Sequence, residues 1–210
     1  MLKNFTTYRR FITQSRWGKF MAWKDPELRA CQAIFYFDGY FAPNADGERL
    51  VKLAESIKES EFGLAQNLSP KRRTALQAFA QILKGKKDIE KNVNASIAWL
   101  HAQPDFHNNC TLYRNANFGY DPNNAHFREA AQYFWDHYSK EEDSWRDQPL
   151  WCHTLAHFHV KPLLMGQVFY PNYRRMGHKK HKYSAAQDND AGAASKSLSA
   201  ANANANATIS

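Results

Sequence analysis

Residues 31–41, CQAIFYFDGYF, are apolar or aromatic at nearly every position over the length of a single strand. A strand with one wet face alternates apolar and polar residues, whereas a strand covered on both faces reads as a continuous apolar run. The stretch therefore predicts a central strand of a helix-covered sheet. Asp38 and Gly39 interrupt the run near its end. A carboxylate there is costly to bury unless a cation, a metal or several donors meet it, so the same stretch that sets the fold also marks a place for chemistry.

Helical periodicity surrounds this strand. Leu50, Leu53, Ala54 and Ile57 recur at helical spacing and predict a helix over Asp46–Ser60. Ser69-Pro70 reads as a cap with proline at the first helical position, opening a second helix that carries Leu76, Phe79, Ala80 and Leu83. A third spans about Asp88–Ala102 and stops before Pro104. A strand follows inside HNNCTLYRNANFGYDPNN, then aromatic helices over 124–139 and 144–158, and a short strand at 167–170. Strands alternating with helices predict an α/β fold with a sheet between helices. Residues 1–183 form the folded part. Residues 184–210 are almost entirely Ala, Asn and Ser, have too little apolar surface to offset their ordering entropy, and predict a disordered tail.

The 210 residues allow one sizeable core, and a net charge of +8 calls for an anionic partner. That charge clusters in YRRMGHKKHK, residues 173–182, and in Arg9, Arg10, Arg16 and Lys19. Cys31, Cys110 and Cys152 form no C-x-x-C pair and read as buried thiols, with a disulfide or a metal site as the alternative. No apolar run reaches the length of a transmembrane helix.

Three stretches carry candidate chemistry. Asp38-Gly39 at the carboxyl end of a strand lies where ligands collect in open α/β sheets, although Asp-Gly is also an ordinary turn. In SWRDQPLW, Asp143 or Ser144 caps a helix and puts Arg146, Asp147 and Gln148 in its first turn. Such a set suits sugar hydroxyls, and Asp147 equally suits the helix dipole. In GHKKHKY, residues 177–183, histidines and lysines could supply a metal ligand and counter-charge for a diphosphate, or simply a solvated basic end. His153 and His157, four apart on a helix face, could hold zinc, yet no glutamate accompanies them and structural histidines explain them as well. Walker-type and G-x-S-x-G motifs are absent from the sequence.

The order of these stretches resembles the GT-A glycosyltransferases, in the branch with a single Asp-Gly and a later Arg-Asp-Gln, similar to the glycogenin and galactinol synthase group. The likeness covers residues 8–183 and implies a GT-A-like mixed sheet flanked by helices, incomplete at its N-terminal side. It implies a nucleotide-diphosphate sugar as donor, a glycan or glycoprotein as acceptor, and Mn²⁺ or Mg²⁺ as cofactor. By this resemblance Asp38 and His178 hold the metal. Arg16, Lys19, Lys179 and Lys180 face the nucleotide and its phosphates, Asn109 and Arg114 line the sugar, and Arg146, Asp147 and Gln148 stand beside the reacting centre. Retention of configuration and work in the Golgi or another glycan-assembly compartment are further expectations of the likeness. Tyr36 occupies the place of the family's usual first aspartate, leaving Asp38 as the lone carboxylate. The alternative is a non-catalytic basic protein that binds RNA or another polyanion through 173–182 and 9–19, with Tyr173 and Tyr183 as stacking rings.

Overall fold

The architecture follows from where a few apolar stripes find cover. A computed structural model describes residues 11–38, 41–43, 47–70, 73–166 and 169–171, with 41–43 and 169–171 described as backbone alone. All of them belong to one compact unit. In chain order the elements are α1 (Phe11–Phe20), α2 (Pro26–Arg29), β1 (Ile34–Phe37), β2 (Phe41–Pro43), α3 (Gly47–Glu59), β3 (Leu64–Leu68), α4 (Ala75–Lys84), α5 (Glu90–Ala102), β4 (Tyr113–Tyr120), α6 (Ala125–Tyr138), α7 (Asp147–His157), β5 (Leu163–Leu164) and β6 (Phe169–Pro171).

Four strands form a mixed sheet in the order β1-β4-β3-β5, and β2 pairs with β6 as a separate ribbon. β4 runs antiparallel to both β1 and β3, and β5 lies parallel to β3, so β1, β3 and β5 share one direction. The chain is thus α/β with a mixed sheet flanked by helices, as expected. The position of β1 differs from expectation. The apolar run does form a strand, but among the described residues it is an edge strand and only half-buried, while β4 sits inside. Composition reports that a strand is apolar; it does not report which strand pairs beside it.

Period-2 alternation sorts the sheet's side chains between two cores. Ile34, Tyr36, Leu64, Phe118 and Tyr120 face the larger one, with Phe20 of α1, Phe127, Phe134 and Tyr138 of α6, and Trp151 of α7. Phe35 and Ala65 face the other way, against Leu50, Leu53 and Ile57 of α3. β4 needs Gly119 at the crossing point, because an added Cβ would stand 2.6 Å from the Phe35 ring and 2.9 Å from Ile57.

Two further expectations change. Helix α4 begins at Ala75 under a capping box between Thr74 and Gln77 rather than at Ser69-Pro70. Ser69 instead continues the β3 edge, its N–H donating to the Leu112 carbonyl. Cys110 and Cys152 form a disulfide rather than two buried thiols, and only Cys31 is a free, exposed thiol. Three cysteines spaced far apart carry no pairing information until the fold brings two together. No helix among the described residues is long and apolar enough to cross a membrane.

Candidate functional site

The carboxyl ends of β1 and β3 and the first half of β4 open onto a cleft of about 350 Å³. Its lining includes Arg16 and Lys19 from α1, Asp38 just past β1, Arg114 and Asn115 from β4, and Arg146, Asp147 and Gln148 at the start of α7. Seven residues singled out in the sequence therefore meet in one place: Arg16, Lys19, Asp38, Arg114, Arg146, Asp147 and Gln148. Asn109 is not among them. It lines a neighbouring cleft of about 450 Å³ with Arg73, Thr74 and Gln77, and Ser69 borders both. His178, Lys179, Lys180, the basic stretch 173–182 and the tail 184–210 lie outside the described residues.

Local structure explains how each group arrives. On α1, Arg16, Lys19 and Phe20 are three and four residues apart and so share a face. Phe20 is fully buried and carries Lys19 inward with it. Lys19 Nζ donates to Asp147 Oδ2 at 2.7 Å, with side-chain exposures of 2% and 13%. The lysine also lies 5.0 Å from the Tyr36 ring centroid. Asp147 opens α7, where the helix dipole favours an anion, and Pro149 fits the first turn because that turn needs no N–H from it. Arg146 is the N-cap residue rather than part of the first turn, and its N–H donates to Ser144 Oγ. Its guanidinium donates to the Lys87 carbonyl at 2.8 Å. Gln148 Nε2 donates to the Tyr113 carbonyl at 2.5 Å, tying α7 to β4.

The electrostatics centre on Asp147. Burial pushes its carboxyl up, but the charges of Lys19 and Arg16 and the hydrogen bond from Lys19 carry it below its ordinary value. It is therefore a carboxylate at neutral pH. Arg16 Nε sits 3.5 Å from Asp147 Oδ2, and the same guanidinium reaches to 3.8 Å from Asp38 Oδ1. Arg16 bridges the two carboxylates of the cleft, and Asp147 raises it above its ordinary value against the opposing effect of burial.

Asp38 has a partner that sequence reasoning missed. Tyr36, two residues earlier on the same strand face, donates its hydroxyl to Asp38 Oδ1 at 2.7 Å. Burial, then the Asp38 charge, holds the Tyr36 phenol well above its ordinary range, so it stays a donor. The strand's period of two was the available signal. Asn115, buried in the same cleft and accepting from Gln66 Nε2 at 3.1 Å, had none: its place depends on β3 pairing with β4. Arg114 makes no ion pair among the described residues, which leaves one cation of the cleft open.

This is the site of an α/β protein with a mixed sheet. No protein-family model, curated protein or solved structure matches the chain.

Proposed function

We propose that the cleft is the donor site of a metal-assisted glycosyltransferase of the GT-A kind, which moves a sugar from a nucleotide-diphosphate donor to a glycan or protein acceptor with retention. One observation carries this reading. Charged and amide residues from four separate stretches converge at the carboxyl ends of like-directed strands, where open α/β sheets bind ligands.

In this reading Arg114 and Arg16 offset the charge that grows on the departing nucleoside diphosphate. Asp147 Oδ2 takes Lys19 at 2.7 Å and faces Arg16 at 3.5 Å; a carboxylate has about four acceptor positions, so it keeps room for a sugar hydroxyl. Gln148 spends its N–H on Tyr113, and its carbonyl oxygen has no partner among the described residues. That oxygen is a second acceptor for the sugar. Lys19 is too buried to meet the donor and acts by holding Asp147.

The metal fits in a restricted sense. Asp38 Oδ1 is taken by Tyr36, and Oδ2 is free of partners among the described residues, so Asp38 offers one oxygen. No group of three metal-ligating side chains among the described residues includes Asp38. A magnesium-like ion needs only one or two carboxylates beside the substrate's phosphates; His178, the other expected ligand, lies outside the described residues. When bound, the ion supplies positive charge at the diphosphate. The Cys110–Cys152 disulfide accords with work in an oxidising compartment, where such bonds persist.

Calorimetry of UDP and GDP binding with and without Mn²⁺, on the wild type and Asp38→Ala, tests the site. Nucleotide-sugar hydrolysis by wild type and Asp147→Ala tests the reaction. Metal-dependent binding lost in Asp38→Ala, with hydrolysis lost in Asp147→Ala, is expected. A folded wild type indifferent to both nucleotides refutes the reading, as do equal hydrolysis rates in wild type and Asp147→Ala.

A further inference from the structure

The opposite end of α7 carries chemistry that the cleft does not use. The segment that follows α5 is clamped to this helix at two points. Cys110 is bonded to Cys152, and Asp105 Oδ2 stands 2.5 Å from His157 Nδ1. Beside them is His153, one turn before His157 and fully buried. Each of Asp105, His153 and His157 offers one ligand atom, and the three atoms lie within 4.8 Å of one another.

We propose that Asp105, His153 and His157 form a zinc-binding site that ties the 103–110 segment to α7. Two imidazoles and one carboxylate are a nitrogen-and-oxygen set suited to zinc; magnesium and calcium prefer oxygen alone. Tetrahedral zinc with bonds of about 2.1 Å sets its ligand atoms roughly 3.4 Å apart. The Asp105–His157 pair, at 2.5 Å, has to open by about 0.9 Å. Asp105 is 38% exposed, so its carboxylate has freedom to rotate. That exposure also gives the ion a way in and leaves a fourth position for water.

The second observation is His153 itself. It is a fully buried imidazole whose Nδ1 has no hydrogen-bond partner among the described residues, and buried polar atoms are rarely left so. Its Nε2 lies 3.5 Å from the Tyr133 hydroxyl. The rings are held in place by aromatic neighbours. Tyr133 stacks on His157 at 4.7 Å and 8°, and Trp99 meets His153 edge-on at 5.4 Å. Such packing fixes imidazole orientation before a ligand arrives.

His157 follows Asp147 by ten residues of helix, about 15 Å along the axis. The zinc site is therefore separate from the cleft, and its test involves no nucleotide. The full chain, stripped with EDTA, is titrated with Zn²⁺ by calorimetry and with Co²⁺ by visible absorption. Asp105→Asn and His157→Gln serve as variants, both at partly exposed positions and both checked for folding by circular dichroism. One equivalent of Zn²⁺, a tetrahedral Co²⁺ spectrum, and affinity at least about 10-fold weaker in each variant are expected. A folded wild type that takes up no zinc overturns the proposal. So does uptake unchanged in both variants, or uptake that disappears in His178→Ala/His181→Ala instead.

Discussion

Replacing Lys19 with methionine isolates the contact on which the cleft depends. Lys19 Nζ and Asp147 Oδ2 are 2.7 Å apart, and the two side chains are 2% and 13% exposed. At an effective dielectric of about 20 the attraction is roughly 6 kcal/mol before desolvation is subtracted. Desolvation of both groups consumes most of that, so the pair itself adds little. Removing one partner is different, because the other charge stays buried alone, at a cost of about 3–5 kcal/mol. Arg16 remains 3.5 Å from the carboxylate and takes over part of the role, which places Lys19→Met at the lower end, about 3 kcal/mol. The pH dependence follows from sign. Asp147 is depressed in the folded chain, so its contribution is complete above the unfolded value of about 3.9 and is lost as pH falls through the lower folded value. Without Lys19, burial pushes the carboxyl upward towards its unfolded value, so the variant loses less of its stability in acid. Urea unfolding followed by tryptophan fluorescence at pH 7 and at successively lower pH measures both effects. The gap between wild type and variant is expected to be widest at pH 7 and to shrink below about pH 4, where Asp147 takes up its proton in the variant first. A loss under about 1 kcal/mol that is equal at every pH would refute the buried pair.

Three other outcomes follow from the packing. The Cys110–Cys152 bond spans 42 residues, and chain entropy puts its worth near 4 kcal/mol, so Cys110→Ser/Cys152→Ser should lower the urea midpoint by as much as reductant does. Gly119→Ala forces a methyl group onto Phe35 and Ile57 and should cost about 1–3 kcal/mol by thermal unfolding, whereas an alanine at Gly18, which meets nothing within 4 Å, should be tolerated sterically. Trp151 Nε1 donates to the buried Gln66 Oε1 at 2.9 Å, so Trp151→Phe should cost about 1–3 kcal/mol beyond its lost area, a loss measurable by chemical denaturation.

What the sequence determined by itself was local. The helices α3, α5 and α6 lie within about two residues of their expected ends, because the 3.6-residue apolar period, the stop at Pro104 and the N-cap at Asn124 are written in neighbouring positions. The apolar run at 31–41 gave a strand, and Asp38, Asp147 and their neighbours announced themselves as polar groups where burial is expensive. Tertiary structure decided the rest. β3, LAQNL, has no β-branched or aromatic residue and was not legible as a strand. It forms between β4 and β5, where Gln66 donates to Asn115 and accepts from Trp151. Whether β1 lay inside or at an edge depended on lateral pairing, and the choice of Cys110 and Cys152 as partners depended on α7 meeting the segment after α5. The cleft divides in the same way. Residue chemistry named its carboxylates, and the period of two put Tyr36 beside Asp38, but the lysine under Asp147 and the arginine between the carboxylates are contacts across as many as 128 positions. Contacts of that span are made by packing; local pattern holds no record of them.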